Sequence, residues 1–166
     1  MHSAEYWIEK LGLETHPEGG YFKETYKSEG FIEIGEGLPK VIGRRTFSTG
    51  IYFLLLKNNF SAFHKIKSDE MWHFYEGNAI EIFYFDLNGI LNKILLGNNL
   101  DNGEVFQEVV PANCWFGSRM ANDGDFALVG CTVAPGFDFV DFEMAKQEDL
   151  ISLYPQHVDI IKQLTH

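Results

Sequence analysis

A chain of 166 residues with 45% hydrophobic and 15% aromatic residues carries enough apolar surface for one compact core, which excludes a disordered polypeptide. Its formal net charge of −11 excludes broad binding to nucleic acid or to an anionic membrane, because both need basic patches and Arg44–Arg45 is the only compact basic pair. Two cysteines, Cys114 and Cys131, are too few for a disulfide framework and read as free buried thiols in a reducing compartment.

The N-terminus, MHSAEYWIEK, lacks a basic segment followed by an apolar one. The longest apolar run, IYFLLL at 51–56, is far short of a membrane span. A soluble cytoplasmic protein is therefore expected. Residues 3–11 read as a helix, with Ser3 as cap and Glu5 in the first turn, where the helix dipole favours an anion. His16-Pro-Glu-Gly-Gly20 then breaks the helix, since proline lacks a donor and glycine admits positive φ.

From 21 to about 142 the pattern is of strands: 46–57, 61–66, 70–75, 79–86, 90–97, 105–110, 114–120 and 126–134. They are rich in β-branched and aromatic residues, and Asn-Gly, Asp-Gly and Pro-containing turns separate them. Many short strands at this spacing predict a sandwich or barrel. Beyond 143, the segments 145–153 and 155–164 read as short amphipathic helices, with Pro155 at a first helical position and Val158, Ile161 and Leu164 as one stripe. No linker or repeat divides the chain, so a single domain over 1–166 is expected. The run at 51–56 is apolar on both faces. One face lines the core, and the other needs cover from a partner, an N-terminal segment or a helix.

The chemistry concentrates in HKIKSDEMWHFYEG, residues 64–77. Strand alternation puts His64, Ile66, Glu70, Trp72 and Phe74 on the inward side if the loop at 67–69 restores the parity, and His73 then points outward. A buried imidazole and carboxylate must pair with each other, bind a metal or hold a ligand. The plain structural reading is a His64–Glu70 hydrogen-bonded pair with no further role.

This stretch resembles the first cupin motif, with His64 at the first histidine, Glu70 at the glutamate and Gly77 at the closing glycine. Ile66 stands at the second histidine, and Phe116 stands at the histidine of the second motif. More of the chain is similar to the cupin-5 family (DUF985). The similar blocks are His16-Pro-Glu-Gly-Gly-Tyr21-Phe-Lys-Glu24-Thr, Thr49-Gly-Ile-Tyr-Phe-Leu-Leu55, Phe63-His64, Ser68 to Gly77, Val110-Pro111, and Cys131-Thr-Val-Ala-Pro135-Gly-Phe-Asp138-Phe. The resemblance implies an all-β cupin jelly roll (double-stranded β-helix), here with an N-terminal helix and short C-terminal helices, and a homodimer.

Two of the four metal-ligand positions survive, which is below the three or four of usual transition-metal sites, so no firmly bound cofactor is expected. A divalent metal, if held, would take His64, Glu70 and His73. The expected function is small-molecule binding in the barrel, with His64 and Glu70 as polar anchors. His16 and Glu18 on a rigid loop, Arg44 as an anion clamp, and Tyr52, Trp72, Tyr84, Trp115 and Phe116 as aromatic walls would complete the site. The alternative is a sugar epimerase, with His64 as base, Asp69 or Glu70 orienting it, and Tyr84 or Tyr52 as acid. A metal-dependent cupin enzyme is the third reading.

Overall fold

The computed structural model describes residues 2–35 and 43–166. Residues 36–42, inside the stretch read as strands, lie outside the described residues. Helix α1 (Ala4–Leu11) comes first, followed by β1 (Glu14–Thr15), β2 (Tyr21–Lys27), β3 (Phe31–Ile34) and β4 (Gly43–Thr46). Next come β5 (Thr49–Leu56), β6 (Phe60–Lys65), β7 (Asp69–Gly77), β8 (Ile80–Phe85) and β9 (Leu91–Leu96). The chain continues through β10 (Gln107–Val110), β11 (Trp115–Met120), β12 (Phe126–Ala134) and β13 (Glu143–Met144) to α2 (Gln147–Leu153) and α3 (Val158–Gln163).

The strands form two antiparallel sheets, ordered β1-β2-β5-β12-β7-β10 and β13-β6-β11-β8-β9, and β3 and β4 make a separate ribbon. This is the jelly roll. Phe53, Leu55, Trp72, Phe74, Ile82, Phe116 and Val129 fill the space between the sheets. On β7 the expected alternation holds: Glu70, Trp72 and Phe74 are buried, and Met71, His73 and Tyr75 turn away. Gly77 ends that strand at φ +98°, where a Cβ would lie 2.3 Å from the Phe126 carbonyl oxygen, so the closing glycine is a steric requirement.

Helices cover both outer faces. Helix α1 begins at Ser3, whose Oγ accepts from the Tyr6 N–H, and stops at the left-handed Gly12. Its Trp7, Ile8 and Leu11 pack with Tyr52 on Leu54, Phe126 and Leu128. The outer face of IYFLLL is therefore closed by the chain's own helix. Helices α2 and α3 lay Leu150, Ile161 and Leu164 on Phe63, Phe83 and Phe85 of the other sheet. The helix expected over 155–164 splits into a 3-10 turn, Pro155–His157, and α3. The strand expected over 46–57 breaks at Phe47 and Ser48, where the chain leaves the β3–β4 ribbon for the main sheet. Among the described residues, no helix is long and apolar enough to cross a membrane.

Candidate functional site

A cavity of about 70 Å³ lies between the sheets at one end of the barrel. Its polar walls are His16, Glu18, His64, Glu70 and Cys131, with Glu24 and Thr49 beside them. Its apolar walls include Phe22, Phe53, Ile66, Trp72, Phe137, Phe139 and Phe142.

Glu18 enters this space because of the loop that carries it. The His16 N–H donates to the Gly20 carbonyl at 3.0 Å and the Gly19 N–H to the His16 carbonyl at 3.0 Å, closing a tight turn. The turn docks on β6, where the Ala62 N–H donates to the Glu18 carbonyl at 2.7 Å. Gly19 sits at φ +110° with its ideal Cβ position only 2.0 Å from the Phe60 carbonyl oxygen. Any side chain there would lift the loop away and take Glu18 with it.

The Glu18 carboxylate makes a buried cluster. Its Oε1 accepts from the Ser61 hydroxyl at 2.9 Å, and its Oε2 lies 3.0 Å from His64 Nε2. His64 Nδ1 lies 2.7 Å from the Ala62 carbonyl oxygen, which can only accept, so Nδ1 carries a proton. Nε2 faces a carboxylate and carries the second. Burial alone would push the imidazole down, but the Glu18 charge and hydrogen bond raise it above its ordinary range. Burial would likewise raise Glu18, yet the His64 charge and hydrogen bond, then His16 and Ser61, hold it below the usual carboxylate range. The pair is a buried glutamate–imidazolium ion pair.

His16 is different. Its Nδ1 accepts the Glu18 N–H at 3.2 Å, so the 3.5 Å approach to the Glu18 carboxylate is that of a neutral ring. Burial pushes its pKa down, with the Glu18 charge opposing and the His64 charge assisting. Glu70 is raised to about 7, first by burial and then by the Glu18 charge. The charge of His64 and the Cys131 thiol, its hydrogen-bond partner, pull the other way. The Cys131 thiol itself is pushed well up by burial and by the two carboxylates, so it is no thiolate nucleophile.

The expected site residues divide. His16, Glu18, His64, Glu70 and Trp72 come together in the cavity. Phe116 lies behind the His64 ring, with centroids 4.1 Å apart. The others are elsewhere. Arg44 is exposed and lies over the Phe31 ring at 3.0 Å. Its neighbour Arg45 turns inward and forks onto the Asp141 carboxylate with two 2.7 Å hydrogen bonds, so the clamp closes on a carboxylate of the chain itself. Tyr52 lies under α1, and Trp115 packs beneath the C-terminal helices with Lys65 over its ring. Tyr84 packs on the main core but does not line the cavity. Asp69 accepts the Ala112 N–H at 2.8 Å rather than meeting His64. His64 pairs with Glu18, a partner its own strand does not reveal.

His73 sits on the outer face, with Nε2 3.1 Å from the Thr132 hydroxyl. It therefore cannot join His64 and Glu70 around an ion. Among the described residues, no three His, Cys, Asp or Glu side chains converge in a metal-ligand arrangement. Both His64 nitrogens are already engaged, so the donor set does not fit a firmly held metal.

Sequence reasoning did not assign Ser61, Cys131 or the ring-bearing segment at 137–142 to the site. A signal existed for Cys131, Phe137 and Phe139, which fall in one of the blocks similar to cupin-5.

The family profile described as "Cupin superfamily (DUF985)", Cupin_5, matches residues 5–145. The structure is similar to protein SO0799 from Shewanella oneidensis, at 40% identity and TM-score 0.88, covering 100% of this chain and 99% of that one. It is also similar to a hypothetical protein from Leishmania major, at 36% identity and TM-score 0.91, covering 99% of both chains. The uncharacterized protein YML079W of Saccharomyces cerevisiae is 32% identical over 157 residues, which is 89% of this chain and 77% of that protein.

Proposed function

The chain belongs to the Cupin_5 (DUF985) family of the cupin superfamily, and from that position we propose that it is a small-molecule-binding protein whose guest enters the barrel cavity. One observation carries this reading. Glu70 is buried and lines an aromatic cavity, and its hydrogen-bond partner is a weakly donating thiol. The Glu18–His64 pair and Glu70 are the polar anchors, so His64 acts through Glu18 and Glu70 presents the free polar surface.

The epimerase alternative loses its proposed parts. His64 has no lone pair left to act as base, and Tyr52 and Tyr84 lie outside the cavity. A cavity of about 70 Å³ is too small to enclose a sugar nucleotide. Any proton transfer to a guest would run through Glu70, which titrates near neutrality. The free buried thiols Cys114 and Cys131 support a cytoplasmic, reducing location.

The test is a fragment screen by thermal shift, since a guest that binds only the folded state raises the melting temperature. Val133 lines the cavity, and Val133→Phe fills it. Hits that vanish in Val133→Phe support the cavity. Hits unaffected by that change, or none from a broad panel, count against it.

A further inference from the structure

Glu70 is more than nine-tenths buried, yet no arginine or lysine lines its cavity among the described residues. The nearby cations are committed elsewhere: Arg45 forks onto Asp141, and Lys67 approaches the same carboxylate at 3.7 Å. The imidazolium of His64 spends both N–H groups on Ala62 and Glu18. A second carboxylate, Glu24, stands at the exposed edge of the cavity. The remaining walls are largely aromatic, among them Phe22, Phe53, Trp72, Phe137 and Phe142.

We infer that the guest of this cavity presents a small ammonium head, a primary or methylated amine, to Glu70 and the surrounding rings. The inference rests on the small-molecule reading above and names its ligand class.

Three chemistries compete for the site. An anionic head would meet Glu18, Glu24 and Glu70 with no free cationic donor among the described residues lining the cavity, and it would lose its hydration without replacement. A neutral head would fill space but leave Glu70 and Glu24 without a counter-charge. An ammonium supplies that charge, donates N–H groups to a buried acceptor, and lies against ring faces that attract cations. The cavity of about 70 Å³ has room for a compact head group only, and its edge at Glu24 is exposed, so an attached chain can lead outward. Burial and Glu18 hold the empty Glu70 carboxyl at about 7, and an adjacent ammonium would return it to the ionised form. A metal ion is the other cation to consider, and the donor set already fails that fit.

Three probes of similar shape and different charge test the inference: isobutylammonium, isobutanol and isobutyrate. Each is titrated against the full chain at neutral pH, with the Trp72 indole N–H followed by NMR. The expected result is that isobutylammonium shifts Trp72 and binds about tenfold or more tighter than isobutanol, a gap of about 1.4 kcal/mol or more. Glu70→Gln keeps the shape, removes the charge, and should erase the gap. Glu24→Gln, at an exposed position, should weaken the amine by a smaller factor and leave the alcohol unchanged. Equal or tighter binding of isobutanol or isobutyrate overturns the ammonium inference and leaves the cavity as a binding site. Silence of Trp72 toward all three probes also overturns it, and the wider reading is then decided by whether hits are lost in Val133→Phe.

Discussion

Removing the His64 imidazole would leave Glu18 as a buried anion whose remaining partners are a hydroxyl and a neutral ring. Breaking one side of a buried pair costs about 3 to 5 kcal/mol, so His64→Ala should be destabilised on that scale. Adding Glu18→Gln should restore part of the loss, because the stranded charge is gone. Urea melts of both variants check this, and a double variant no more stable than the single one would refute the ion pair. The pH window follows from the signs. Glu18, held below its ordinary 4.5, contributes above that value and loses its contribution as pH falls through its folded pKa. His64, raised above 6.5, contributes below that value and loses its contribution as pH rises through its folded pKa. The penalty of His64→Ala should therefore be largest between about pH 4.5 and 6.5. Glu70 has the opposite sign to Glu18. Its carboxyl is raised from 4.5 to about 7, so the neutral form fits the fold, and stability is lost as pH rises through that interval. Glu70→Gln should gain on the parent between pH 4.5 and 8 by up to about 3 kcal/mol, read from melts at the two limits. A constant difference across that range would mean that Glu70 is not shifted. His64 and Glu70 were readable as inward residues because strand alternation is local. Their charge states were not, because burial sets them together with Glu18, which reaches them from a distant loop.

The loop 16–20 acts as one element, and Gly19 is its sensitive point. Gly19→Ala places a Cβ against the Phe60 carbonyl and forces a φ of +110° on a residue that avoids it. The backbone strain alone is worth about 1 to 3 kcal/mol. The larger consequence is geometric: the loop lifts, and Glu18 leaves His64. The His64 ring protons should then shift toward an ordinary imidazole titration by NMR, together with a lower melting temperature. An unchanged His64 titration would detach the loop from the site. The sequence marked this loop as a turn from its proline and glycines, but a turn signal does not tell which strand the turn lands on. The same limit explains Arg44 and Arg45. Adjacent strand residues face opposite ways, and composition alone cannot choose which one turns inward. Most strands were legible because aromatic and β-branched runs are bounded by turn residues. The break between β4 and β5 was not, since Phe47 and Ser48 are as strand-like as their neighbours and the chain changes sheet there for tertiary reasons.

At the scale of the whole molecule, the two-faced run at 51–56 needs no partner subunit for cover, because α1 closes the outer face of β5. A different surface carries the expectation of a homodimer. Tyr26, Phe31 and Phe47 are 55%, 44% and 53% exposed, on β2, on β3 and in the connection leading from β4. The Phe47 ring lies close over Gly30, which places it beside Phe31. Three large rings left in water around one ribbon are a candidate contact, and a standard interface needs about 800 Å² from each partner. Opposing this is the net charge of −11 on each copy, which repels a second copy most strongly when few ions screen it. The two effects make a joint prediction. Light scattering at moderate salt should give twice the single-chain mass of 19.0 kDa, and lowering the salt should shift the equilibrium toward the single chain. Phe31→Glu combined with Phe47→Glu adds charge and removes apolar contact at the proposed seam, so it should give the single-chain mass at every salt concentration. The melting behaviour of this double variant should otherwise stay close to that of the parent's single-chain form, because both rings are exposed and neither belongs to the barrel core. A parent that weighs 19.0 kDa throughout, or a double variant that still pairs, would remove this ribbon from the assembly.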